Sequence, residues 1–138
     1  MGIEFRQVTV ISSSQLAGVT EFLCDDVDLI YTANDNTVNA GISSVVSVCE
    51  KKNIPIVIGD LSTLSKGPLF AVGLEYKSMG HQLADISFQL LSGVPLKDVP
   101  PKQAPPAEIW LNKTAMTKLT YEFPKDSVAF KLIKKTIE

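Results

Sequence analysis

Leu29-Ile30-Tyr31-Thr32, then Asn34-Asp35-Asn36-Thr37, then apolar residues at helical spacing, then Ile54-Pro55-Ile56-Val57-Ile58: the fold is decided over residues 29–58. The first and last runs are short, β-branched and almost continuously apolar, as in strands covered on both faces of a parallel sheet. Between them Val38, Ile42, Val45, Val46 and Cys49 recur at the spacing of one face of a 3.6-residue helix. Asn34-Asp35-Asn36-Thr37 supplies capping residues at the junction of strand and helix. This is a β-α-β unit, whose two strands must run parallel.

The same grammar continues on both sides. Val8-Thr9-Val10-Ile11 reads as an earlier strand, followed by the cap cluster Ser12-Ser13-Ser14 and a helix carrying Leu16, Val19 and Leu23. Downstream, the turn signal Lys66-Gly67-Pro68 introduces a strand at Leu69-Phe70-Ala71-Val72-Gly73-Leu74. Met79, Leu83, Ile86 and Leu90 then define a helix that Gly93 ends. Strand and helix alternate, which predicts an α/β fold with a three-layer parallel sheet and helices on both faces.

Residues 93–107 break the alternation and hold five of the eight prolines, so an extended, stiff crossing is expected there. A short strand at Ile109-Trp110-Leu111 and a helix near residues 114–119 follow. The tail from Asp126 places Val128, Leu132 and Ile133 on one helical face. The chain accordingly divides into an α/β lobe, residues 1–93, and a segment of crossing, strand and C-terminal helices, residues 94–138.

At 138 residues the chain suits one domain able to bury a core without disulfide or metal. Apolar residues make up 45% and charged residues 20%, an ordered globular balance. The net charge is −2 and Arg6 is the only arginine, which argues against a nucleic-acid surface. No run approaches the ~20 apolar residues of a membrane span. Met1-Gly2-Ile3-Glu4-Phe5-Arg6 lacks the basic-then-apolar layout of a secretion signal. Cys24 and Cys49 are not spaced as metal ligands and read as buried reduced thiols, with a disulfide between them left open.

In open α/β sheets, ligands gather at the carboxyl ends of the strands. Three segments fall there: Asn34-Asp35-Asn36-Thr37, Gly59-Asp60-Leu61-Ser62 and Glu75-Tyr76-Lys77-Ser78. Asn36 and Thr37 offer donors beside a helix start, suited to a carboxylate. Asp35, Asp60 and Glu75 offer acceptors suited to an ammonium. Together they describe a site for a small zwitterion such as an amino acid, although the same residues are also ordinary helix caps.

Catalytic signals are sparse. His81 is the only histidine, on a predicted helix, and no nucleophile elbow, P-loop or Gly-x-Gly-x-x-Gly is present. The clustered acids with Lys66 and Lys77 leave a phosphoacceptor or Mg²⁺ site as a weaker reading. Trp110 and Tyr121 suit a core or a domain seam, and an aromatic pocket otherwise.

Asp28-Leu29-Ile30-Tyr31 leading into Asp35-Asn36-Thr37-Val38 resembles ABC transporter substrate-binding proteins of the tryptophan/tyrosine type. So do Ile54-Pro55-Ile56-Val57 with Gly59, and Gly67-Pro68-Leu69 through Val72-Gly73-Leu74-Glu75-Tyr76 with Gly80. Leu111-Asn112-Lys113-Thr114-Ala115, Leu119 and Phe123-Pro124 extend the likeness towards the end of the chain. The resemblance implies the second lobe of a type-1 periplasmic-binding-protein fold. Two lobes would close on a ligand, and the signal or lipoprotein region, the first lobe and the start of the second would lie outside these residues.

By that resemblance Asp35, Asn36, Thr37, Asp60, Glu75 and Tyr76 would face the ligand. Ala33-Asn34 and Ile58-Gly59-Asp60-Leu61 depart from the family's usual pattern at the pocket wall, so the ligand's identity does not carry over. The implied protein is not an enzyme, needs no cofactor or metal, and works outside the cytoplasm. It would bind an amino-acid-like molecule and pass it to an ABC permease, and its lobe alone would be prone to self-associate. The alternatives are the effector-binding lobe of a transcriptional regulator and a flavodoxin-like enzyme domain.

Overall fold

The computed structural model describes residues 2–119 and 126–138; Tyr121, Phe123 and Pro124 lie outside them. Five strands form one sheet in the order β1 (Ile30–Thr32), β2 (Ile56–Ile58), β3 (Phe70–Gly73), β4 (Glu108–Asn112) and β5 (Ile133–Ile137). β1, β2 and β3 run parallel, with Ile30 opposite Ile56 and Ile58 opposite Ala71. β4 is antiparallel to β3, because the chain comes back along the proline-rich segment, and β5 runs parallel to β4. The expected α/β sheet is therefore mostly parallel, with one reversal.

The sheet's first face carries Ile30, Ile56, Ile58 and Ala71, all buried. They pack with α1 (Leu16–Cys24) and α3 (Ile42–Lys52) through Leu16, Cys24, Val45, Val46 and Cys49. A second cluster joins Leu69 and Leu111 to Ala115 of α5 (Lys113–Lys118) and to Leu119. Tyr31 and Val72 point to the other face, by the two-residue period of a strand, and both are exposed. The described helices thus cover that face only in part.

α4 (Tyr76–Leu91) explains much of this. It has the expected amphipathic pattern, yet none of its residues is buried. Leu83, Phe88 and Leu91 are 62%, 72% and 88% exposed. The helix leaves the sheet's carboxyl edge without laying its apolar side on the sheet.

Three local expectations are corrected. Val8-Thr9-Val10-Ile11 is not a strand: only Val10 packs against the first cluster. A strand exists through its ladder, and no described strand stands beyond β1 to pair with it. The helix read across residues 38–49 is broken at Gly41 into α2 (Asn36–Ala40) and α3. A Cβ at Gly41 would collide with Leu16 Cδ1, so the break seats α1. Finally, the tail is helical only at α6 (Val128–Lys131), after which β5 adds to β4. Its β-branched Ile133, Thr136 and Ile137 suit a strand, and β4 offers an open ladder. Lys135 then lies 4.2 Å from the Trp110 ring centroid.

Candidate functional site

Each of the three parallel strands ends in extended backbone, and at each exit an acidic residue caps the helical segment that follows. Asp35 Oδ1 accepts from the backbone N–H of Thr37 at 2.8 Å and of Val38 at 3.0 Å, starting α2. Asp60 accepts from Ser62 N–H at 2.9 Å and from the Ser62 hydroxyl, starting the 3-10 segment Leu61–Lys66. Glu75 accepts from Lys77 N–H, Ser78 N–H and the Ser78 hydroxyl at 3.1, 2.8 and 2.7 Å, starting α4. A short acceptor with β dihedrals meeting free helix-start N–H groups is how such junctions are satisfied.

Capping also sets the charges. Burial alone pushes the Asp60 carboxyl up, but the Ser62 N–H and hydroxyl, the Thr63 hydroxyl and the Lys66 charge outweigh it, and the net shift is downward. Glu75 is held below its usual range by the Ser78 hydroxyl first, then by the Ser78 and Lys77 N–H groups and the Lys77 charge. These two carboxylates are therefore held in their charged form, with their hydrogen bonds already committed.

The three loops are joined by side chains. The Asn39 amide donates to Asn34 Oδ1 at 3.0 Å and to Asp60 Oδ2 at 3.2 Å. The Asn34 amide donates to the Tyr76 hydroxyl at 3.2 Å. Asp60, Asn39, Asn34 and Tyr76 thus form one chain across the exits of β2, β1 and β3. Two acceptors face the Asn39 amino group, which fixes which way its amide points. Among the described residues its buried carbonyl Oδ1 finds no hydrogen-bond partner, nor does Thr32 Oγ1 at the end of β1.

Gly59 lets β1 and β2 end this close together. Its N–H donates to Thr32 O at 2.9 Å, and a Cβ there would stand 2.9 Å from Asn34 N and 3.3 Å from Ala33 C. Any side chain would push the β1 loop away.

Of the six residues expected from sequence, Asp60 and Tyr76 enter this network directly. Asp35 and Glu75 cap their own helices at the same edge. Asn36 and Thr37 make no side-chain hydrogen bond to the other loops among the described residues. Sequence reading places Asn34 at this edge and at the pocket wall but gives it no ligand role, and it misses Asn39. For Asn39 the available signal was a polar amide one helical turn after Asp35, between Val38 and Ile42.

His81 is exposed on α4. The Trp110 indole donates to Glu108 Oε2 at 2.7 Å and the ring packs on the first core. A polar groove of about 350 Å³, lined by Ser47, Glu50, Lys66, Asn112, Thr114 and Lys118 among others, lies before the start of β3, at the opposite end from the three acids.

Residues 1–130 match a family model described as ABC transporter substrate binding protein. The tyrosine-binding protein of Clostridioides difficile (strain R20291) is 24% identical over 110 residues, covering 80% of this chain and 32% of that protein. Among solved structures, a conserved domain protein from Vibrio cholerae O1 superposes with a TM-score of 0.76 at 23% identity, over 94% of this chain and 43% of the other. An ABC domain in complex with L-Trp from Streptococcus pneumonia gives 0.75 at 23% identity, over 93% and 43%. The chain spans about a third of that relative and under half of those structures. The superpositions bear out the α/β binding-protein fold expected from sequence.

Proposed function

The chain belongs to the ABC transporter substrate-binding protein family, and we propose that it is one lobe of a solute-binding clamp that captures an amino acid for uptake. The observation that carries this reading is the hydrogen-bonded edge itself, with Asp60, Asn39, Asn34 and Tyr76 bridging the carboxyl ends of three parallel strands. Ligands of open α/β sheets collect at this edge.

Asp35 Oδ1 is engaged in capping, which leaves Oδ2 to receive an ammonium. The Tyr76 hydroxyl accepts from Asn34 and keeps its own proton to donate. Asn36 and Thr37 flank these groups on α2. A relative named for tyrosine and a structure holding L-Trp support an amino acid as the ligand class.

The clamp's other lobe, the first in chain order, would be contributed by polypeptide outside these residues. The exposed apolar side of α4 supports this, since Leu83, Phe88 and Leu91 are suited to a partner surface that the described residues do not provide. In this reading residues 94–138 carry the chain back through the hinge to complete the lobe. The protein acts outside the cytoplasm, delivers its ligand to an ABC permease and catalyses no reaction.

Isothermal titration of L-tryptophan, L-tyrosine and the other amino acids into protein carrying both lobes tests the reading. Asp35→Ala removes a charge-assisted contact worth about 1.5–3 kcal/mol, so affinity should fall by roughly one to two decades. Binding unchanged in both Asp35→Ala and Asn34→Ala would place the site elsewhere.

A further inference from the structure

The chain has two cysteines, and the fold brings them together. Cys24 is the last residue of α1 and Cys49 lies in the final turns of α3. Their sulfurs stand 3.7 Å apart across a sequence separation of 25 residues. Both are buried, 7% and 1% exposed, in the core that joins α1 and α3 to β1 and β2.

We propose that Cys24 and Cys49 are a cross-linking site, which closes into an intramolecular disulfide tying α1 to α3 when the chain folds under oxidising conditions. A disulfide has its sulfurs about 2.05 Å apart. Bringing these two from contact to bond needs an approach of under ~2 Å.

The reaction needs an oxidant, and a low-molecular-weight disulfide such as oxidised glutathione suffices. The thiolate of one cysteine attacks the glutathione disulfide, breaking its S–S bond and releasing one glutathione thiolate. The second cysteine, as thiolate, attacks the protein sulfur of the mixed disulfide and expels the other glutathione. Two cysteine thiols are oxidised, one glutathione disulfide is reduced to two thiols, and the cysteine protons pass through solvent to the departing thiolates.

In the folded chain neither thiol ionises readily. Burial pushes the Cys24 thiol up, and its contact with Cys49 and then the Lys52 ammonium offset this only in part, with the Asp25 charge opposing them. Burial pushes Cys49 up much further, and Cys24 beside it adds to that. Thiolate is scarce in the finished core, so closure belongs to folding, when both sulfurs still see solvent.

The chain should be refolded from denaturant with oxidised and reduced glutathione, and in parallel under reductant, then mapped by non-reducing peptide mass spectrometry. The expected product has lost two hydrogens, resists iodoacetamide, and yields the Cys24 and Cys49 peptides joined. Its thermal midpoint should lie on the order of 10 °C above the reduced form, and added reductant should abolish the difference. Cys24→Ser and Cys49→Ser, treated alike, should show no such rise. The mapping uses the unaltered chain, so it stands even if a variant fails to fold. Free thiols after refolding, separate glutathione adducts on each cysteine, disulfide-linked dimers, or a closed bridge that lowers the midpoint would each overturn the proposal.

Discussion

Gly59→Ala perturbs the point where the sheet and the candidate site meet. The new methyl would stand 2.9 Å from Asn34 N, 3.3 Å from Ala33 C and 3.5 Å from Thr32 O. These are backbone atoms, so no side-chain rotation can relieve the contact. Relief requires the β1 loop to move away, which stretches the 2.9 Å bond from Gly59 N–H to Thr32 O. Overpacking of this kind costs ~1–3 kcal/mol, and a weakened backbone hydrogen bond adds about 1 kcal/mol. A total near 3 kcal/mol should lower the thermal midpoint by roughly 10 °C in a chain of this length.

Circular dichroism melting measures this, with Gly18→Ala as the internal control. Gly18 sits inside α1 with nothing within 4 Å of an added Cβ, so alanine there should stabilise by ~0.5–1 kcal/mol. In two-lobed protein, Gly59→Ala should also weaken ligand binding, because the displaced Asn34 bridges Tyr76 and Asn39. A Gly59→Ala protein that melts within about 1 °C of the parent would refute the argument from close approach.

Asn112 is buried, donates to Leu64 O and accepts from Ala115 N–H, each at 3.0 Å. Asn112→Ala orphans both groups and should cost about 2–4 kcal/mol in urea unfolding; a loss under ~0.5 kcal/mol would contradict the bonds described. Asp60 and Glu75 have folded-state carboxyl pKa values below their unfolded ones, so their stabilisation is complete above about pH 4 and is lost as the pH falls through the depressed values. The urea midpoint gap between the parent and Asp60→Asn should therefore shrink below about pH 4, and a gap independent of pH would remove the role given to these caps. For the half-clamp reading, the chain alone should bind at least about a hundredfold more weakly than two-lobed protein, the missing lobe contributing roughly 3 kcal/mol, and it should self-associate through its bare apolar surface. Light scattering and titration showing a strict monomer with undiminished affinity would defeat that reading.

The sequence by itself determined the parallel β1–β2–β3 unit, the helical character of the span between β1 and β2, and the edge where the acids gather. Those features rest on local causes: β-branched runs, 3.6-residue periodicity, and capping residues set at strand exits. Asp35, Asp60 and Glu75 could be placed at helix starts because a cap is fixed by its immediate neighbours. Only the tertiary structure decided what depends on distant partners. Val8-Thr9-Val10-Ile11 has a strand's composition but no strand to pair with among the described residues, while the tail after Lys131 has a helical apolar pattern and becomes β5 because β4 offers it a ladder. Asn39 escaped notice because its partners, Asn34 and Asp60, lie on two different loops. The meeting of Cys24 with Cys49 is of the same kind: each follows its own helix's pattern, and their 3.7 Å approach is set by the packing of α1 on α3, a choice that no local window of sequence contains.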